Sequence, residues 1–212
     1  MEVRLSLLYR IPENIMRLAE EAEDRSLGKV GYRRSLLCPP KGLIYKAFSE
    51  ISGDPKVVIL GQDPYHTPGK ARGVAFGYHE DYKGPTDSSL ANILKEANST
   101  TGRSLKDWTR QGVLLLNTRL TTSPGQPMAH AGLGWEEFTE AILQWLSTTY
   151  PGLIFMLWGK EAQSFDYAIQ SELIFRTSHP CKYSAHRGFI GSGQFEETNK
   201  VLRVHGKEEI KW

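Results

Sequence analysis

Val57-Val58-Ile59-Leu60 is a β-branched and aliphatic run with no polar alternation, and it gives way at once to Gly61-Gln62-Asp63-Pro64-Tyr65-His66. A run of that kind fits a strand buried on both faces of a parallel sheet. Gly61 and Pro64 break the strand. Asp63, Tyr65 and His66 are therefore expected just past its carboxyl end, where open α/β sheets bind ligands. A carboxylate, a phenol and an imidazole so close together suit acid–base work or stabilisation of developing charge. Taken alone, the segment also reads as a polar turn after a core strand.

The pattern recurs three times. Gly112 to Asn117 and Leu153 to Trp158 are apolar runs ending at Asn117 and at Gly159-Lys160, and Leu173 to His179, apolar in its first half, reads as a fourth strand ending at His179-Pro180. Helical spacing is expected over Pro12–Glu23, Leu43–Ile51, Trp135–Thr148, Glu161–Ser171 and Gln194–Val204. Another helix starts at Ser88 or Ser89, whose hydroxyls suit a cap, and stops near Gly102. Residues 181–193 read as a loop, and the aromatic tail at Trp212 is expected to fold back. Strands separated by helices imply a three-layer α/β/α fold around a central, mostly parallel, four-stranded twisted sheet. One domain over 1–212 is the expectation. Parallel strands share one orientation, so the residues past their ends should line a single rim.

Composition narrows the classes. Of 212 residues, 40% are hydrophobic and 24% charged, the balance of a globular protein. The two cysteines, Cys38 and Cys181, lie in no metal-ligand spacing, which argues against a disulfide framework or a zinc site and for a reduced, intracellular chain. Residues 1–10 do not read as a secretory signal, and no apolar run reaches membrane-spanning length. The net charge of +2 says little, but its distribution says more. Asp and Glu are absent from 64–79, 108–135 and 176–195, which hold Lys70, Arg72, Arg110, Arg119, Arg176, Lys182 and Arg187. Acid-free loops can give a near-neutral protein one positive face for a polyanion.

An Asn amide can read the paired donor and acceptor of a nucleobase edge, and an aromatic such as Phe76, set between small residues, can stack on its face. A neutral histidine can donate to an oxygen gaining charge, while a carboxylate faces a developing cation. Together these groups suit cleavage of an N-glycosidic bond in an extruded nucleotide.

At these residues the chain resembles the family 1 uracil-DNA glycosylases. Gly61-Gln62-Asp63-Pro64-Tyr65-His66 matches that family's water-activating motif. His179-Pro180 with Ser184-Ala185-His186-Arg187-Gly188-Phe189 resembles its DNA-intercalation motif, and Leu114-Leu115-Leu116-Asn117 its uracil-reading strand. The resemblance implies catalytic roles for Asp63 (sugar cation and attacking water) and His179 (uracil O2). It implies that Asn117 reads N3–H and O4, that Phe76 stacks, that Tyr65 blocks a C5 methyl and that Gln62 contributes backbone contacts. It assigns DNA contacts to His66, Ser89, Lys160, Cys181, Tyr183, Ser184 and Arg187. No metal or organic cofactor is implied, because the base is the leaving group and water the nucleophile.

Implied partners are uracil-containing DNA, single- or double-stranded, and a DNA-mimicking protein inhibitor. A monomer, cytoplasmic or nuclear, is expected. Three departures from the family pattern stand out. The proline-rich loop reads Pro85-Thr86-Asp87-Ser88-Ser89, Lys160 replaces a hydroxyl beside Gly159, and Tyr183 takes the intercalating leucine position. Two rivals remain at this stage: a mismatch-specific relative with a wider pocket, and a DNA-binding replication-accessory protein in which catalysis is secondary.

Overall fold

All four runs form strands, and the computed structural model, which describes residues 6–31, 37–85, 87–99 and 105–212, places them parallel in one sheet. They are β1 (Val57–Gly61), β2 (Val113–Asn117), β3 (Ile154–Trp158) and β4 (Ile174–Thr177), in spatial order β2-β1-β3-β4. Gly61 pairs in register with Asn117, and Leu157 with Arg176, so the strand ends fall nearly level. From β1 the chain leaves towards β2; from β3 it leaves towards β4. The crevice between β1 and β3 is thus the topological switch point of the sheet.

The central strands are buried on both faces, and the pleat divides their side chains with a period of two. Val58, Leu60, Leu114, Leu116, Phe155 and Leu157 enter one core with helices α1 (Glu13–Val30) and α5 (Trp135–Thr149). Val57, Ile59, Val113, Leu115, Met156 and Trp158 enter the other. That second face is covered by α3 (Ser88–Glu96), α4 (Leu105–Thr109) and α7 (Gln194–Val204) through Ile93, Trp108, Phe195 and Leu202. Burying a large side chain such as Phe138 or Trp108 contributes about 1.5–3 kcal/mol, so the two cores hold the sheet from both sides. Trp212 folds back as expected: its indole N–H donates to the Phe195 carbonyl at 3.1 Å, and its ring meets Trp108 edge-on.

Several helix boundaries differ from the sequence expectation. The first helix runs on past Glu23 to Val30, because Ser26 and Leu27 are buried and the chain first turns at Gly31, φ +57°. The expected helix over 43–51 is a 3-10 turn at Lys41–Leu43 followed by the short α2 (Lys46–Glu50). The expected 161–171 helix is only α6 (Lys160–Gln163), then a 3-10 turn at Asp166–Ala168 that drives Phe165, Ala168 and Ile169 into the core. The fourth strand stops at Thr177, two residues before His179, and the loop at 181–193 contains a 3-10 turn, Ala185–Arg187. Helix α3 ends at Glu96; Gly102 and Thr86 lie outside the described residues.

Candidate active site

Three loop junctions bring the strand ends together. Beyond β1 and β2, the Thr118 N–H donates to Gly61 O at 3.0 Å, the Arg119 N–H to Gln62 O at 3.2 Å, and the Thr118 hydroxyl to Gln62 O at 2.5 Å. Beyond β3 and β4, the Gly159 N–H donates to Thr177 O at 2.9 Å. Gly159 has φ +94°, and a side chain there would meet His179 Cβ at 3.0 Å. Across the mouth, the Lys182 N–H donates to Ser88 Oγ and the Asn92 amide to Pro180 O at 2.8 Å. The result is a cleft of about 600 Å3 whose walls include Gln62, Asp63, Tyr65, Phe76, Asn117 and His179.

Each group enters that cleft in a defined state. Asp63 has both carboxylate oxygens engaged: Gln62 Nε2 donates to Oδ1 at 2.9 Å and the Met128 N–H to Oδ2 at 2.7 Å. These hydrogen bonds fix the carboxylate plane while leaving each oxygen a second lone pair. The buried Asn117 amide has no hydrogen-bond partner among the described residues, so its donor and acceptor are available to a ligand. His179 is neutral: burial pushes its pKa down, against the smaller opposing pull of Asp87 and Asp63. Its Nδ1 accepts from the Cys181 N–H at 3.1 Å, which assigns the ring proton to Nε2. Phe76 sits at φ +61°, a strained setting for a non-glycine residue, with its ring 5.2 Å from Trp158 and 5.8 Å from His179. Burial pushes the Tyr65 phenol far above its usual range, and the hydroxyl stays protonated.

The expected DNA-contacting residues divide. His66, Ser89, Cys181 and Tyr183 line the cleft, with Tyr183 at the mouth, 72% exposed. Ser184, Lys160 and Arg187 lie outside its lining. Ser184 braces the loop by donating to His179 O at 2.8 Å. Lys160 is exposed at the start of α6, and Arg187 closes the Ala185–Arg187 turn. The helix cap differs from the expectation: Asp87, not a serine, caps α3, its Oδ1 accepting from the Ser89 N–H at 2.7 Å.

Sequence reasoning missed two contributors. The Met128 N–H that holds Asp63 comes from a left-handed residue, φ +61°, which no side-chain pattern announces. Arg119, which the charge pattern placed on a positive face, is instead buried, and it secures that turn by pairing with Glu136 at 2.7 Å and Glu161 at 3.1 Å and by approaching Met128 Sδ. Among the described residues, no three His, Cys, Asp or Glu side chains come close enough to share a metal ion. Cys38 and Cys181 are both free.

Comparison with known proteins bears on the fold and the family. The family model of the uracil DNA glycosylase superfamily matches residues 48–203. The chain is 43% identical over 190 residues to the uracil-DNA glycosylase of Alkaliphilus metalliredigens, spanning 85% of this chain and 83% of that one. It is 43% identical over 202 residues to the Klebsiella pneumoniae enzyme of the same name, spanning 90% and 84%. The crystal structure of mimivirus uracil-DNA glycosylase superimposes with a TM-score of 0.80 at 25% identity, covering 98% of this chain and 89% of that one. A variant of the mimivirus protein in complex with UGI superimposes with a TM-score of 0.79, also at 25% identity, covering 92% and 82%.

Proposed function

Because the chain belongs to the uracil-DNA glycosylase family and is a DNA-repair enzyme that hydrolyses the N-glycosidic bond of uracil in DNA, we propose that its cleft takes in a flipped-out uracil with the following division of labour. The uracil ring lies on Phe76. Asn117 donates to O4 and accepts from N3–H, the pairing that its unpartnered amide leaves free. Tyr65 closes the C5 side, where a packed aromatic cannot absorb a methyl group without strain. Gln62 steadies Asp63 and lends backbone contacts.

As the C1′–N1 bond breaks, its electron pair leaves with the base. His179, neutral with its proton on Nε2, donates to O2 and stabilises the uracil anion. Asp63 faces the oxocarbenium-like sugar and orients the water that attacks C1′. The water oxygen bonds to C1′, and the proton it gives up ends on the departing uracil. His66, Ser89, Cys181, Lys160 and Arg187 hold phosphates along the rim, Ser184 fixes the loop that carries Cys181 and Tyr183, and Tyr183 enters the gap left in the duplex. The lysine at 160 adds a charge to that rim, which makes binding more salt-sensitive.

The observation that carries this reading is the convergence of Asp63, Asn117 and His179, from three different strand ends, on one cleft with Phe76 and Tyr65. The two cores share one sheet and draw on helices from both ends of the chain, which supports one domain over 1–212. Two free cysteines suit a reducing compartment, cytoplasmic or nuclear, and among the described residues no helix is long and apolar enough to cross a membrane. We take the protein to act as a monomer on single- or double-stranded DNA. The UGI-bound mimivirus structures support a DNA-mimicking inhibitor as a further partner.

The test is release of free base from paired and unpaired oligonucleotides carrying uracil, thymine or cytosine. Uracil release alone is expected. Thymine release at a comparable rate would favour the mismatch-specific reading. DNA synthesis that needs the protein yet survives Asp63→Asn would favour the accessory one.

A further inference from the structure

Lys70 is the least expected charge near the cleft. Its side chain is only 7% exposed, yet it sits in no network of carboxylates. Among the described residues its Nζ has one hydrogen-bond partner, Asp87 Oδ2, at a long 3.5 Å. What surrounds it instead is aromatic: Nζ lies 4.2 Å from the centroid of Tyr65, 4.8 Å from Tyr78 and 5.6 Å from Tyr82. The rings brace one another, Tyr65 on Tyr78 at 5.3 Å and Tyr78 on Tyr82 at 5.7 Å, both tilted edge-to-face. A desolvated ammonium with one distant counter-charge is costly unless ring faces stay turned towards it. The cost of moving the lysine is therefore also a cost of moving the rings.

Tyr65 draws its restraint from the same cluster. Its hydroxyl shares a hydrogen bond with the Tyr78 hydroxyl, and its bond to Phe76 O, at 3.4 Å, is too long to fix the ring by itself. Asp87 carries the restraint further. It caps α3 through the Ser89 N–H, and its own N–H donates to the Tyr78 hydroxyl. Burial opposes ionisation of Asp87, but the Ser89 hydrogen bonds and Lys70 outweigh it and hold the carboxyl below its usual range. The lysine thus joins the wall of the cleft to the loop at its mouth.

We propose that Lys70, clasped by Tyr65, Tyr78 and Tyr82 and paired with Asp87, is a specificity-determining positioning residue that holds the Tyr65 ring against the C5 side of the bound base. The proposal rests on the reading of Tyr65 as the C5 wall. It predicts that loosening the clasp admits bases with a substituent at C5, without a matching loss on uracil.

The experiment compares kcat/KM for single-stranded oligonucleotides carrying one uracil or one 5-hydroxymethyluracil, with thermal melts alongside. Lys70→Met keeps the stem and removes the charge, and it is expected to raise the 5-hydroxymethyluracil-to-uracil ratio about ten-fold. Lys70→Arg, which keeps a cation for the rings, is expected to return the ratio to within about three-fold of the parent. Tyr82→Leu, which removes only the outermost face, should raise it about three-fold. A folded Lys70→Met protein with an unchanged ratio, or with equal losses on both substrates, overturns the proposal. If Lys70→Met does not fold, an unchanged ratio in Tyr82→Leu overturns it. Tyr65→Ala separates the two readings. A relaxed ratio there with none in Lys70→Met removes Lys70 alone, while no relaxation in Tyr65→Ala removes the C5-wall reading itself.

Discussion

Replacing Gly61 with alanine should disable the site without touching any reacting group. Gly61 ends β1 directly beside Asn117 in the sheet register. Its backbone is ordinary strand, so alanine introduces no conformational strain. Space is what fails: a Cβ built there lies 2.8 Å from Asn117 Oδ1 and 3.0 Å from two ring atoms of Phe76. Ordinary contact begins at 3.4 Å, so the amide oxygen must retreat by about 0.6 Å and the ring by about 0.4 Å. Neither can give way easily, since Asn117 belongs to a buried strand and Phe76 is wedged against Trp158 and His179. A shift approaching 1 Å in a positioning group costs roughly a hundred-fold in rate, or about 2.7 kcal/mol of barrier.

Uracil release by Gly61→Ala should therefore fall ten- to a hundred-fold in kcat/KM, roughly, with overpacking costing about 1–3 kcal/mol of stability. Gly42→Ala, where a side chain meets nothing within 4 Å, serves as the control and should behave as the parent. Retention of kcat/KM within about two-fold in Gly61→Ala would refute the steric reading of this corner.

Three further outcomes follow from the same geometry. Burial, with Lys29 adding to it, pushes His130 down to about 4, and its ring is held by Thr121 and Ser123 at 2.8 and 3.0 Å. Between about pH 4 and pH 6.5 the unfolded chain binds a proton that the folded one does not, so stability rises with pH across that window and is lost on acidification, by on the order of 3 kcal/mol. Urea melts of His130→Gln should show a shallower acid loss, and a loss equal to the parent's would remove His130 as the cause. Asn117→Asp, with its carboxyl protonated, should gain cytosine release, and a variant that still releases uracil but no cytosine would contradict the assigned role of Asn117. Tyr183→Ala should lose more activity on duplex than on single-stranded DNA in parallel assays, whereas equal losses would rule out a wedge.

Strands β1, β2 and β3 were legible in the sequence because doubly buried parallel strands carry uninterrupted apolar runs, whereas β4, a half-exposed edge strand that carries Arg176, showed its start in Ile174-Phe175 but not its end. Helix α7 was legible for a similar reason, with Gly193 at φ +65° turning the chain into it. The site residues followed from the strands, since parallel strands put Asp63, Asn117 and His179 on one edge. Helix ends were less visible. Leu27 and Phe165 are apolar residues whose partners lie far off in the chain, and only tertiary packing decides whether the helix continues past them. The Met128 N–H and the aromatic clasp on Lys70 were illegible for a deeper reason. One is a backbone group in a left-handed turn, and the other depends on three rings brought together by a loop whose path no periodicity records.

The most direct measurement is a crystal structure of the Asp63→Asn protein bound to a duplex with a single deoxyuridine. The account predicts the uracil out of the stack, resting on Phe76, with O2 within about 3.2 Å of His179 Nε2 and its N3–O4 edge paired to the Asn117 amide. A uracil still stacked in the duplex, or held away from Asn117 and His179, would contradict it.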